Sequence, residues 1–349
     1  MELHWSLELG IWSFASSAFA ATGGPPLRMS PTFRARLPQL TTAAVLAVLY
    51  VTACHLYDGF FSLRGIISLL TDNAALGLTA IGMTLVIFSG GIDLSVGAVA
   101  GFTSIFVATL IEQHHVHPVF AAGAALAIGA ALGAGMGAII HFFRQPPFLI
   151  TLAGMFLMRG CAFWITTESI GLTHPFYEKI SAFEIVLGPR TSLTATGLSL
   201  ILALVVGTVL AHYTRFGRNL LAIGGSEQSA LLMGLPLGAS RIAVYAFNSV
   251  CATCAGLVLV LYTGSGNPSF GLGLELDAIA VVVIGGTLLS GGRGHMLGTL
   301  LGLLIFGVIQ AALIFDGRLS PAWSRIVVGA LLLIFILLQR ALLTRLAKP

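Results

Sequence analysis

A single carboxylate, Asp93, stands in SGGIDLSVGA (Ser89–Ala98) with apolar sequence on both sides. One chemistry open to it is that of a proton or sodium site, or of a polar contact for a solute crossing an apolar environment. The other is structural. A carboxylate at a helix start accepts freed backbone N–H groups and faces the positive end of the helix dipole. An Asp at the centre of a membrane helix costs about 2.5–3.5 kcal/mol on insertion scales. The cheaper placement is therefore expected, with Asp93 capping a helix that begins at Leu94. Asn73, Ser95 and Asp277 are the further candidates to line a pathway, and Glu275 is a polar neighbour of the last. Glu275 and Asp277 more simply mark the start of an apolar segment.

Other reactive side chains carry less. Cys251 and Cys254 form a CxxC inside an apolar run, where two small residues at helical spacing serve packing rather than redox work. His114, His115 and His117 in HHVHP have no acidic or cysteine partner close in sequence, so a solvated loop is expected there and no metal site. The chain has two lysines, Lys179 and Lys348, and neither follows a GxxxxG. No HExxH or GxSxG signature is present. No catalytic residue is expected, and transport becomes the default class.

The elements that must position these residues are set by composition. Hydrophobic residues make up 57% of the 349 and charged residues 9%, against roughly 25% charged in a soluble domain. Mean hydropathy is +0.98. The dyad alternation of an outer-membrane barrel is absent, so the chain reads as an all-α polytopic membrane protein. Apolar segments of the length needed to span a bilayer fall at about 40–57, 65–89, 94–112, 119–142, 148–167, 194–212, 242–263, 277–290, 295–315 and 322–343. That makes about ten transmembrane helices.

Basic residues give the orientation. Arg28, Arg34 and Arg36 precede the first segment, Arg215, Arg218 and Arg241 flank the loop after the sixth, and Arg340, Arg345 and Lys348 follow the last. Even numbers of segments separate the three clusters, so all fall on one side, and both termini and the loop 213–241 are expected to be cytoplasmic. The net charge of +4 records this topology and not nucleic-acid binding. His114–Pro118, the loop Glu168–Leu193, Gly264–Leu276 and the Asp316–Pro321 turn fall on the opposite face. Residues 1–36 read as an N-terminal extension in which Met29 is the expected start and 1–28 an artefact or disordered tail. Residues 37–343 form the transmembrane domain and 344–349 a cytoplasmic tail.

Two internal patterns stand out. GGIDLS (Gly90–Ser95) echoes GGTLLS (Gly285–Ser290), each after an apolar run, as interrupted helices do in transporters built from repeats. Gly90, Gly91, Gly285 and Gly286 are thus expected helix breaks. GxxxG spacings at Gly129/Gly133/Gly137, Gly97/Gly101 and Gly298/Gly302 read as packing faces. In the loop, Asn219–Ile223 suits a short helix and Ser226–Met233 another, with Ser226 as N-cap and Gly234 and Pro236 as the stop. Its apolar content, Leu231, Leu232, Met233 and Leu235, is high for a solvated linker and suits docking into a cleft of another protein.

SGGIDLSVGA, GRNLLAIGGSEQSALLMGL and LDAIAVVVIGGTLLSGGRG together resemble the permease subunits of ribose/galactose-type ABC sugar importers, over roughly Pro31–Arg340. ITLAGMFLMRG and ESIGLTHPFY are more narrowly similar to a permease of galactofuranose importers. The resemblance implies a ten-helix importer-type permease fold in a bacterial inner membrane, forming half of a monosaccharide pathway. It implies a second permease subunit of different sequence, a cytoplasmic ABC ATPase that consumes the ATP, a periplasmic sugar-binding protein and no cofactor on this chain. Ser226, Glu227, Ala230, Met233 and Gly234 match the family's ATPase-coupling segment. The rival readings are an ion-coupled secondary carrier acting without an ATPase, with Asp93 as its ion site, and a channel or structural subunit. A carrier works in vesicles without ATP and stops when the ion gradient collapses; the permease does neither.

Overall fold

A computed structural model describes residues 31–57, 62–188, 191–316, 323, 325–334 and 337. The chain divides into two units, Met1–Leu37 and Pro38–Pro349. The described residues of the first are helical. The expected start at Met29, the 344–349 tail and most of the Asp316–Pro321 turn lie outside the described residues.

Helices α1 (Pro31–Leu56), α2 (Leu63–Asp72), α3 (Ala74–Phe88), α4 (Val96–Glu112), α5 (Pro118–Phe142) and α6 (Pro147–Ile165) come first. After them lie strand β1 (Ile170–Gly171), α7 (Pro175–Ser181), the hairpin β2 (Glu184–Gly188) and β3 (Thr191–Thr194), and α8 (Ala195–Thr208), which runs into a π turn at Val209–Tyr213. The remainder is α9 (Arg215–Gly225), α10 (Glu227–Leu232), α11 (Leu237–Thr263), β4 (Ser265–Gly266), α12 (Leu274–Ile284), α13 (Met296–Asp316) and the apolar α14 (Arg325–Ile334).

Among the described residues, six helices are long and apolar enough to cross a membrane: Gln39–Leu56, Pro118–Phe142, Pro147–Ile165, Ala195–Tyr213, Leu237–Thr263 and Met296–Asp316. The pair α2 and α3 passes the same length and hydropathy test only when taken together, and it is bent by 62° at Asn73. The apolar run 65–89 is therefore two helices and not one. The segments expected at 94–112 and 277–290 are a 17-residue and an 11-residue helix, because glycine-rich breaks interrupt them. The loop 168–193 also departs from an all-helical chain. β1 pairs with β4, and β2 with β3 in the register Glu184↔Thr194 and Ile185↔Leu193.

The core is built around α3 and α11. All fifteen residues of α3 are buried, as a helix apolar on every side requires. α11 is flanked by α3, α4 and α5. The stripe Gly129, Gly133 and Gly137 lets α5 lie directly on α11: a Cβ at these positions would strike Thr253, Ala246 and Ile242 in turn. Gly298 and Gly302 give α13 the same close approach to Gly285 and Val281 of α12. Gly97 and Gly101 differ, since the backbone they face is the non-helical chain at Gly271 and Phe270.

Candidate functional site

Asp93 is fully buried. Its Oδ1 accepts from the Ser95 amide at 2.8 Å and the Ser95 hydroxyl at 2.6 Å, and its Oδ2 accepts from Asn248 Nδ2 at 2.8 Å. The helix it introduces begins at Val96 with Ser95 in the N-cap position, two residues later than expected, and Ser95 makes no side-chain cap bond. Asp93 thus closes an Asx-type turn before the helix and ties that turn to α11. Asn248 lies eleven residues into α11, about 16 Å along its axis. Three donors on one carboxylate satisfy most of a charge that would otherwise be costly to bury. Sequence reading had no signal for Asn248, one of several polar residues in a long and mostly apolar helix.

The segment Gly264–Leu276 is more than a solvated loop. It is inserted among the helices alongside α4. The Ser104 hydroxyl donates to the Asn267 carbonyl at 3.0 Å and accepts from its amide at 3.3 Å. Gly271 then touches Gly97, in the first turn of α4. Arg159, inside the apolar helix α6, holds this segment: its guanidinium donates to the carbonyls of Pro268 at 2.5 Å and Phe270 at 2.8 Å. Glu275 is its electrostatic neighbour. Sequence reading missed Arg159, although an arginine in an otherwise apolar membrane-length run is itself a signal. Asp277 lies in the first turn of α12 with Glu275 and Arg325 as its charged neighbours.

The two echoed motifs meet. After α3, the Gly90 amide bonds to Ile87 O and the Gly91 amide to Val86 O. After α12, the Gly286 amide bonds to Val283 O and the Thr287 amide to Val282 O. Both are Schellman-type ends closed by a left-handed glycine, Gly90 at φ +79° and Gly286 at φ +90°. The structural equivalent of Gly90 is therefore Gly286, one residue on from the sequence match with Gly285. The ends then press together backbone on backbone: the Gly292 amide donates to Phe88 O at 3.1 Å. A Cβ on Gly291 would come within 2.7 Å of the Gly90 nitrogen, and one on Gly224 within 2.6 Å of the Gly292 nitrogen.

Gly224 and Gly225 end α9, and α10 starts two residues on. Ser226 caps α10, its hydroxyl accepting from the Ser229 amide at 3.2 Å, and Gly234 at φ +74° turns the chain away. Ala230 is buried against Ile223 and Leu237, while Leu231, Leu232 and Met233 are 63%, 84% and 65% exposed. The Glu227 carboxylate pairs with Arg241. Helices α9 and α10 are thus a packed unit and not a solvated linker. The foot of α13 is fixed nearby: His212 Nε2 accepts from the Met296 amide and His295 Nδ1 from the Leu297 amide, both at 3.1 Å. The two imidazoles stack at 4.0 Å. Burial holds His295 below the usual histidine range.

Asn73 and Asp93 do not share one site. Asn73 forms the bend before α3, its Nδ2 donating to Leu69 O at 2.9 Å, and the length of α3, about 22 Å, separates it from the Asp93 turn. In the HHVHP loop, His117 caps α5 and its ring meets His174 edge-on at 6.2 Å. Among the described residues, no three His, Cys, Asp or Glu side chains gather as metal ligands.

Residues 65–336 match the family described as the permease component of branched-chain amino acid transport systems. The chain belongs to that permease family. It is 47% identical over 306 residues to the inner membrane ABC transporter permease protein YjfF of Escherichia coli K12, covering 88% of this chain and 92% of that one. It is 37% identical to the fructose import permease FruG of Bifidobacterium longum, over 89% of this chain and 92% of the relative. With the ribose import permease RbsC of E. coli K12 it shares 34% identity, over 88% and 95%. FruG and RbsC are sugar import permeases, in agreement with the ribose/galactose-type resemblance, and the relatives are permease components and not catalytic enzymes. No solved structure matches the chain.

Proposed function

We propose that this chain is the permease subunit of an ATP-driven monosaccharide importer of a bacterial inner membrane, with galactofuranose or a related sugar as its cargo. The sugar class rests on its relatives, and the furanose on ITLAGMFLMRG and ESIGLTHPFY. Ten spans, cytoplasmic termini, a second and different permease, a periplasmic sugar-binding protein and a cytoplasmic ATPase complete the reading. The carrying observation is α10, a capped helix with an apolar face of Leu231, Leu232 and Met233 left exposed. Its base joins the glycine contacts of both helix breaks, so movement of a docked ATPase would reach both broken helices directly. Asp93 already accepts three hydrogen bonds, which favours a structural post over the ion site of a carrier.

Glu227 is engaged by Arg241, so Leu232 is the cleaner probe of docking. Leu232→Glu is expected to abolish ATPase co-purification and ATP-driven uptake while membrane insertion stays normal. Full uptake without any ATPase, lost on collapse of the proton or sodium gradient, would establish the carrier instead.

A further inference from the structure

At the end of α13 remote from α10 is a cavity of about 420 Å³ between α2 and α13. Arg64, Ser68, Asp72 and Asn73 line it from α2 and the bend, and Gln310 and Phe315 from α13. Gln310 lies fourteen residues from Met296, about 21 Å along the helix, so the opening is well separated from the glycine contacts. We propose that this cavity is a monosaccharide-binding subsite of the transport pathway, a proposal that rests on the sugar-permease reading above.

The lining has the chemistry of polyol recognition. A sugar hydroxyl both donates and accepts, and adjacent hydroxyls are met by side chains with paired polar atoms. Asp72 accepts, Arg64 donates, and Asn73 and Gln310 do both. One cation and one anion leave no net charge, which favours a neutral solute over a phosphate or an amine. Phe315, tilted against Tyr57 at 6.1 Å, closes one side of the cavity. The volume lies within the 300–1,000 Å³ of small-molecule pockets, enough for one sugar ring.

Polar groups in apolar segments need partners, and here the chain supplies them only in part. Tyr262 donates to Asp72 at 3.2 Å, and Asn73 donates to Leu69. The side chains of Arg64, Ser68 and Gln310 make no hydrogen bond with any of the described residues. Gly307 keeps room for this arrangement, since a Cβ there would come within 2.8 Å of Asn73 Nδ2. Asn73 immediately precedes α3, whose far end carries Phe88. The cavity and the glycine contacts are thus opposite ends of the same two helices, α3 and α13.

The test uses the whole transporter, with both permeases, ATPase and binding protein, in proteoliposomes, with labelled D-galactose as the probe because its solutions contain the furanose form. Gln310→Leu is expected to lower ATP-driven uptake at least tenfold, and Asp72→Asn at least threefold, in complexes that assemble as the wild type does. A second measurement guards against misfolding. In a chain whose native cysteines are replaced, Ser68→Cys should react with a membrane-impermeant thiol reagent, and galactose with its binding protein should slow that reaction. Both variants transporting within twofold of wild type, or a Ser68→Cys reaction unchanged by sugar, would overturn the subsite. Wild-type complexes without ATP-driven uptake would instead sink the sugar-permease reading beneath it.

Discussion

The breaks after α3 and after α12 are made by the same backbone device and filled in opposite ways. Each helix ends two residues before a left-handed glycine, with the same pair of returning hydrogen bonds. The first loop then regains helix at Val96 through a buried carboxylate, Asp93, which collects donors from its own turn and from α11. The second takes longer to regain helix, at Met296, and carries Thr287, whose buried hydroxyl has no hydrogen-bond partner among the described residues. Side-chain hydrogen bonds hold one break. Glycine backbones pressed on the other break and on α9 hold the second. A motif repeated in sequence therefore repeats how a helix stops, and not how the chain continues beyond it.

That contrast can be broken from either side. The largest effect is expected from Asp93→Leu, which strands three buried donors at about 1–3 kcal/mol each. Folded, monodisperse protein in detergent should fall at least tenfold. Asp93→Asn keeps the shape but supplies an amide where an acceptor is needed; it should lose less, and leave the sugar preference of residual transport unchanged. Normal abundance with an altered sugar profile would make Asp93 a substrate contact and not a post.

Gly291→Ala is next. It combines φ +83° with a Cβ driven against Gly90, and strain of about 1–3 kcal/mol should lower the thermal midpoint and uncouple ATP hydrolysis from uptake. Gly90→Ala meets only the Ser290 carbonyl, at 3.4 Å, and Gly224, at 3.8 Å, so the left-handed backbone alone should cost about 1–2 kcal/mol. Equal losses from the two would mean that backbone contact between the breaks contributes nothing. The smallest effect is expected at Thr287→Val. Removing an unbonded buried hydroxyl should leave the thermal midpoint unchanged or slightly raised, whereas a loss like that of Asp93→Leu would erase the distinction between the breaks.

Much of the loop 213–241 was legible in sequence, because caps and stops are local. Ser226 before Glu227 and Gly234 before Pro236 set the limits of α10 with no help from the rest of the chain. The α5 stripe was also legible, since glycine every fourth residue on a membrane helix has little other use. Asp93 was legible only in part. Its turn-forming chemistry comes from GGID, but the two-residue delay before α4 and the bond to Asn248 depend on where α11 passes. The packing of Gly264–Leu276 against α4 was not legible, because Gly, Asn, Pro and Ser look alike in water and against a helix. Ser104 and Arg159, which hold it, lie more than 100 residues away in sequence.

The sequence by itself determined the class of the protein, its apolar helices, its two glycine breaks and the short capped helix α10, because hydropathy, capping and left-handed glycine act over a few residues. Only the tertiary structure decided that Gly90, Gly224 and Gly291 share one contact, that Asp93 braces α11, and that Asn73 faces a cavity instead of joining Asp93. Those are relations between distant segments, fixed by how closely backbones can approach once side chains are absent.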